Sequence, residues 1–147
     1  MEQVNIYIED NFKGFQEQDG AVAFVIETIQ KGVPFTLDEI RGLQRETPNQ
    51  ATMTGLILAV ARLRRSCELD IYTENSYMAA GVTDWMSTWR ENNWMTSRGK
   101  TVENIAEWQI LDALLSRHKY RLHVKEPHSY KKWLQDKLDN YEVGGTE

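Results

Sequence analysis

The densest run of side chains able to do chemistry lies near the C-terminus. Between Arg117 and Lys132 there are six basic residues and three histidines, with Glu126 the only acid. Such a run can meet a phosphate backbone, and it can equally form a solvated face. The rest of the chain leans the other way. Residues 1–60 carry 4 Lys/Arg against 9 Asp/Glu, residues 117–147 carry 7 against 5, and the 147-residue sequence has a net charge of −5. Its overall charge therefore does not advertise nucleic-acid binding. The single cysteine, Cys67, cannot form an internal disulfide, which fits a reducing compartment.

Hydrophobic residues make up 41% and charged residues 27%, the balance of an ordinary globular protein. Five Trp, six Tyr and four Phe offer a core and argue against disorder. No apolar run approaches the roughly 18 to 20 residues that span a bilayer. The opening MEQVNIYIED lacks a basic n-region and an apolar h-region. The expectation is a cytoplasmic protein with no membrane partner, built as one domain over residues 1–141 with a flexible tail over 142–147.

The elements that must position these residues follow from periodicity. Val4 to Ile8 alternates with period two and reads as a strand, and Ala21 to Thr28 reads as a second, more buried one. Residues 33–43 are ambiguous: Pro34 and Phe35-Thr36 favour a strand, while Leu37, Ile40 and Leu43 sit at helical spacing. Pro48 opens the strongest helix, over 48–66, with Met53, Leu56, Ile57, Val60 and Leu63 as its apolar stripe and Arg62, Arg64 and Arg65 in its last turns. Leu69 to Thr73 is a short strand. Short helical patterns follow at 75–80 and 83–90, then a polar loop over 91–100 and a helix over 102–117. Tyr120 to Val124 is a fifth strand, and Ser129 is the expected cap of a last helix over 130–141. Three successive strands imply an antiparallel meander, and strands reached across helices imply parallel pairing.

This order, together with local strings, resembles the type 1 ribonuclease H family over nearly the whole chain. The most specific stretch is Leu69-Asp70-Ile71-Tyr72-Thr73-Glu74-Asn75-Ser76-Tyr77. It is followed by Gly81-Val82-Thr83-Asp84-Trp85, Trp89, Trp94 and Ala106-Glu107-Trp108-Gln109. The resemblance implies an α/β ribonuclease H-like fold: a five-stranded mixed sheet in the order 3-2-1-4-5 with helices on both faces. It also implies hydrolysis of the RNA strand of an RNA/DNA hybrid by two divalent ions, Mg²⁺ or Mn²⁺, roughly 3.5–4 Å apart. Such hard ions need oxygen ligands, and the family supplies four carboxylates.

Carried over position by position, those four ligands depart from the family's Asp, Glu, Asp, Asp. Glu9 takes the first position and Asp10 the place of a family glycine. Thr52 replaces the helical Glu, Glu74 stands for the Asp after the fourth strand, and Asp136 is the expected ligand on the last helix. The metal candidates are thus Glu9, Asp10, Glu74 and Asp136. A glutamate extends its carboxylate by about 1.3 Å where sites tolerate roughly 0.5 Å, and a threonine hydroxyl cannot compensate a dication. Metal binding is therefore expected to be weak. The family's mobile histidine loop becomes Lys125-Glu126-Pro127-His128, in which His128 reads either as a remnant of the catalytic histidine or as an ordinary exposed loop residue.

On the substrate side, Thr47, Asn49, Gln50, Ser76 and Trp85 match positions that the family uses to contact a hybrid through phosphates and 2′-hydroxyls. Thr47 reads equally as the N-cap of the helix opened by Pro48. The loop Trp89 to Trp94, lysine-rich in bacterial members, has no net charge here. The leading expectation is a degenerate ribonuclease H-like module that binds nucleic acid. An active metal-dependent endoribonuclease and a protein-interaction scaffold with a protein partner are the alternatives.

Overall fold

The computed structural model describes residues 1–142; the greater part of the tail expected over 142–147 lies outside the described residues. Five strands form a single sheet in the order β3-β2-β1-β4-β5. β1 (Glu2–Asp10), β2 (Gln18–Gln30) and β3 (Val33–Glu46) make an antiparallel meander. β4 (Cys67–Thr73) lies parallel to β1, and β5 (Lys119–Val124) parallel to β4. This is the ribonuclease H-like fold that the resemblance implies.

Period-two alternation decides which helix each strand residue meets. Val4, Ile6 and Ile8 join a core with Leu69 and Ile71, under α1 (Pro48–Ala61) and α4 (Ile105–Leu115). Tyr7 points the other way, into a smaller cluster with Ala21, Ala23 and Val25 that is closed by Leu134 and Leu138 of α5 (Lys131–Asp139). Helices therefore cover both faces. The same rule sends consecutive residues Glu9 and Asp10 to opposite faces.

The ambiguous residues 33–43 are strand, not helix, because β2 supplies a continuous partner from Val33 to Leu43. Pro34 is tolerated because β3 is an edge strand. α1 stops short of its expected end: Arg62 caps it, and Leu63 N–H closes a tight turn onto Val60 O. Arg62, Arg64 and Arg65 consequently lie beyond the helix. α4 also starts later than the pattern predicts, since Val102 N–H is held by Trp94 O and Asn104 adopts φ 60°. The expected Ser129 cap is absent. α5 begins after Tyr130, with no side-chain cap. Between β4 and α4, α2 (Ser76–Ala80) runs through a π-helical turn, Gly81–Trp85, into α3 (Met86–Glu91). Gly81 is required there, because a Cβ would lie 2.1 Å from the Trp108 ring.

Candidate functional site

The C-terminal ends of β1 and β4 lie side by side in the sheet, which brings Glu9 and Glu74 together. Glu9 is buried, with a side chain only 2% exposed. It is also fully engaged. Gln135 Nε2 donates to Oε1 at 2.8 Å, Lys131 Nζ reaches Oε1 at 3.2 Å, and His128 Nε2 reaches Oε2 at 3.0 Å. Burial raises the Glu9 pKa, but the His128 and Gln135 hydrogen bonds and the Lys131 charge more than offset it and hold the group below its ordinary value.

Lys131 does more than pair with Glu9. Its Nζ also lies 3.5 Å from Glu74 Oε2, so one ammonium bridges both carboxylates. Lys131 and Gln135 stand one helical turn apart on α5 and therefore share a face. Asp136 follows Gln135, about 100° further round the helix. It pairs with Lys132 at 3.1 Å and lines a shallow surface depression with Ile40, Trp133 and Tyr141. The residue that α5 aims at Glu9 is Gln135, and the expected ligand Asp136 points elsewhere. A one-residue slip in placing the helix suffices to exchange the two.

Asp10 and Thr52 meet on the opposite face of the sheet. Thr52 Oγ1 lies 3.2 Å from both Asp10 Oδ2 and Pro48 O, and Phe12 N–H donates to Asp10 Oδ1 at 2.9 Å. Burial raises the Asp10 pKa despite those donors, and the Glu9 charge adds to the rise. The strand pleat thus keeps Asp10 from joining Glu9 as a second oxygen ligand. The structure separates the predicted residues into Glu9 with Glu74, Asp10 with Thr52, and Asp136 alone.

His128 is neither exposed nor loose. Its side chain is 4% exposed and packs on the Tyr7 ring at 4.7 Å between centroids. Tyr130 N–H donates to Nδ1, which puts the ring proton on Nε2, where it is donated to Glu9. The imidazole anchors the carboxylate.

A divalent ion would require oxygen ligands at about 2.0–2.1 Å for Mg²⁺, largely from carboxylates. Among the described residues no three His, Cys, Asp or Glu converge into such a group. The two carboxylates that do approach each other already share a cation of the protein. These residues do not fit the pair of divalent ions that the resemblance implies.

Beside Glu74 opens a groove of about 740 Å³, walled by Thr47, Asn49, Gln50, Asn75, Ser76 and Asn104. Thr47 is the N-cap of α1 and forms a reciprocal capping box with Gln50. Gln50 Nε2 donates to Asn104 Oδ1 at 3.3 Å, so both ends of that amide are occupied. Asn75 Nδ2 donates to Asn49 Oδ1 at 2.9 Å, while Asn75 Oδ1 caps α2. Asn49 Nδ2 makes no hydrogen bond among the described residues and is available to a ligand. Trp85 does not line this groove. It lies, half exposed, in a second depression with Trp89 and Asn92. Arg90 of that region is committed to Asp112 through bonds of 2.8 and 3.0 Å.

Sequence reasoning missed Lys131, Gln135, Asn75, Asn104 and Phe15. Asn75 carried a usable signal, since it follows Glu74 in the motif. Phe15, 92% exposed at the groove rim, carried none.

The family model for RNase H matches residues 2–133. A "Ribonuclease H" from Marinobacter nauticus is 38% identical over 88 residues, covering 60% of this chain and 60% of that protein. One from Bradyrhizobium diazoefficiens is 37% identical over 92 residues, covering 62% and 60%. The chain thus spans about three-fifths of the length of the curated relatives it matches. Among solved structures, LC9-RNase H1, a type 1 RNase H with the type 2 active-site motif, superposes with a TM-score of 0.79. It is 18% identical, with 99% of this chain and 74% of that chain covered. LC11-RNase H1, solved in complex with an RNA/DNA hybrid, superposes at 0.61 and 12% identity, with 92% and 96% covered. At those identities the likeness concerns the fold. No helix among the described residues is long and apolar enough to cross a membrane.

Proposed function

The chain belongs to the RNase H family, and from that premise we propose that it binds RNA/DNA hybrids, or a closely related duplex, without cleaving them efficiently. One observation carries this reading. The amide-lined groove ends on Glu74, and the Glu74 carboxylate is already paired with Lys131. Asn49 Nδ2 in the groove is thus available while the carboxylate centre is engaged. Asn49, Ser76 and Thr47 are neutral hydrogen-bonding groups suited to 2′-hydroxyls and phosphates, and they read backbone shape without reading base identity.

Electrostatic grip is weak in this reading, because Arg90 is held by Asp112 and the loop from Trp89 to Trp94 has no net charge. Binding depends on few phosphate contacts and falls only gently with salt. The test is anisotropy with a labelled hybrid, DNA duplex and RNA duplex at low salt in EDTA, beside a cleavage assay in MgCl₂ and MnCl₂. Hybrid binding in EDTA with no cleavage is the expected result, and Asn49→Ala should weaken it about tenfold, the equivalent of about 1.4 kcal/mol. Efficient metal-dependent cleavage would establish the endoribonuclease reading instead. A folded protein that binds no duplex at all would leave the scaffold reading, for which the exposed Ile29, Val33, Phe35 and Leu37 on the β2–β3 hairpin offer an apolar surface.

A further inference from the structure

We propose that Lys131 is a built-in cation that takes the electrostatic place of a divalent ion between Glu9 and Glu74, so that the centre is complete without metal. Three observations meet at one atom. Lys131 Nζ lies 3.2 and 3.5 Å from the two oxygens of Glu9, and 3.5 Å from Glu74 Oε2. Glu9 is a buried anion, and a buried charge needs a partner and satisfied lone pairs. The remaining Glu9 contacts come from His128 and Gln135, neither of which needs to carry charge to donate. Among the described residues Lys131 is therefore the one permanent cation in contact with Glu9.

The helix explains why a lysine can do this. α5 starts at Lys131, immediately after the segment that seats His128, so its first residue sits directly over the end of β1. A lysine stem of four methylenes lets the ammonium reach inward while its outer part remains wet, and the side chain is 45% exposed. An ion entering between Glu9 and Glu74 would face this ammonium at close range and would have to displace it. The lengthened glutamates fit the longer N–O distances of an ammonium pair better than the short bonds of a hard ion. The cost of a metal-free carboxylate pair, mutual repulsion, is met by the chain itself.

The test uses the free protein and is independent of whether nucleic acid binds. Thermal unfolding and Mn²⁺ binding, followed by the electron paramagnetic resonance of free Mn²⁺, are measured for the wild type, Lys131→Met and Lys131→Arg. The expected wild-type midpoint is the same in EDTA, MgCl₂ and MnCl₂, with no saturable Mn²⁺ site at micromolar concentration. Lys131→Met should unfold at a lower temperature in EDTA and recover with rising MnCl₂, as linkage to a ligand of the folded state requires. Lys131→Arg, which retains the charge, should behave as wild type. A merely structural lysine would lower the midpoint on substitution without creating a response to Mn²⁺, and that result overturns the proposal. So does a wild type that binds Mn²⁺ tightly. Should Lys131→Met fail to fold, Lys131→Gln, which keeps a donor to Glu9 without its charge, provides the same readout.

Discussion

His128 Nε2 donates to Glu9 Oε2 across 3.0 Å, joining residues 119 positions apart with both side chains almost wholly buried. The bond locks the end of β1 to the segment leading into α5, and it fixes the imidazole tautomer through Tyr130 N–H. Around it the α5 face of the sheet is polar and aromatic. Tyr7 stacks on Tyr72 at 4.8 Å, and Tyr72 on His123 at 4.4 Å. Glu27 accepts from Tyr7, Tyr130 and Asn5, and the Tyr130 phenol is pushed up to about 12 by its bond to Glu27 and by burial.

Removing the Glu9 carboxylate should be costly for stability. Glu9→Ala strands the buried donors of His128 and Gln135 and releases Lys131, so a loss of about 3 kcal/mol in urea unfolding is expected. A change of a few tenths would mean that those donors find water.

Acid should unfold the protein through three carboxylates of this face. Burial raises Glu9, Glu27 and Asp70, but hydrogen bonds outweigh it and leave all three below their ordinary values of 4.5, 4.5 and 3.8. A depressed folded pKa confers stability that is complete above the unfolded value and is lost as pH falls through the folded one. The urea midpoint should therefore be flat just above pH 5 and drop progressively below about pH 4.5. Glu27→Gln should shallow that drop.

Mild alkali should act through His123. Burial lowers its pKa, yet its bonds to Asp70 at 2.7 Å and Glu126 at 3.0 Å raise it above 6.5 overall. A raised folded pKa confers stability that is fully present below the unfolded value and is lost as pH rises through the folded one. Stability should thus decline from about pH 6.5 upward; His123→Asn should remove that decline and, by withdrawing a hydrogen bond that holds Asp70 low, also shallow the acid limb. Urea titrations of both proteins across the range read it directly.

Restoring the family carboxylates one at a time should restore nothing. Glu9→Asp and Glu74→Asp together still leave Lys131 in the centre and an amide at Gln135, while position 52 lies across the sheet beside Asp10. Cleavage of a labelled hybrid should become measurable only when Gln135→Asp and Lys131→Asn are added, because ligands of one site act as a unit. Activity in the double variant alone would show that the lysine swings aside freely.

Packing makes a separate demand at Gly81. An added Cβ would meet Trp108 ring atoms at 2.1 and 2.6 Å, and Trp108 is fully buried with an indole N–H that has no partner among the described residues. Gly81→Ala should cost at least about 1–3 kcal/mol in thermal or urea unfolding, the range of overpacked cores.

Much of the architecture was legible in the sequence. Alternation in Val4–Ile8 and the Thr47-Pro48 helix start were legible because periodicity and capping are properties of neighbouring residues, whereas the strand order followed from the resemblance carried by the Leu69-to-Gln109 strings. The choice of strand over helix for residues 33–43 was not local, since only pairing with β2 removed the ambiguity. Helix ends were equally out of reach. α1 stops at Ala61 where the chain turns toward β4, although its arginine-rich end continued the pattern. The carboxylate centre was decided by tertiary structure alone. The pleat of β1 divided Glu9 from Asp10, and the rotation of α5 presented Lys131 and Gln135 while turning Asp136 away. Residue types along a chain specify which charges exist. Which of them meet depends on a helix phase set by how Leu134 and Leu138 pack on the sheet, and one residue of phase exchanges an anion for an amide.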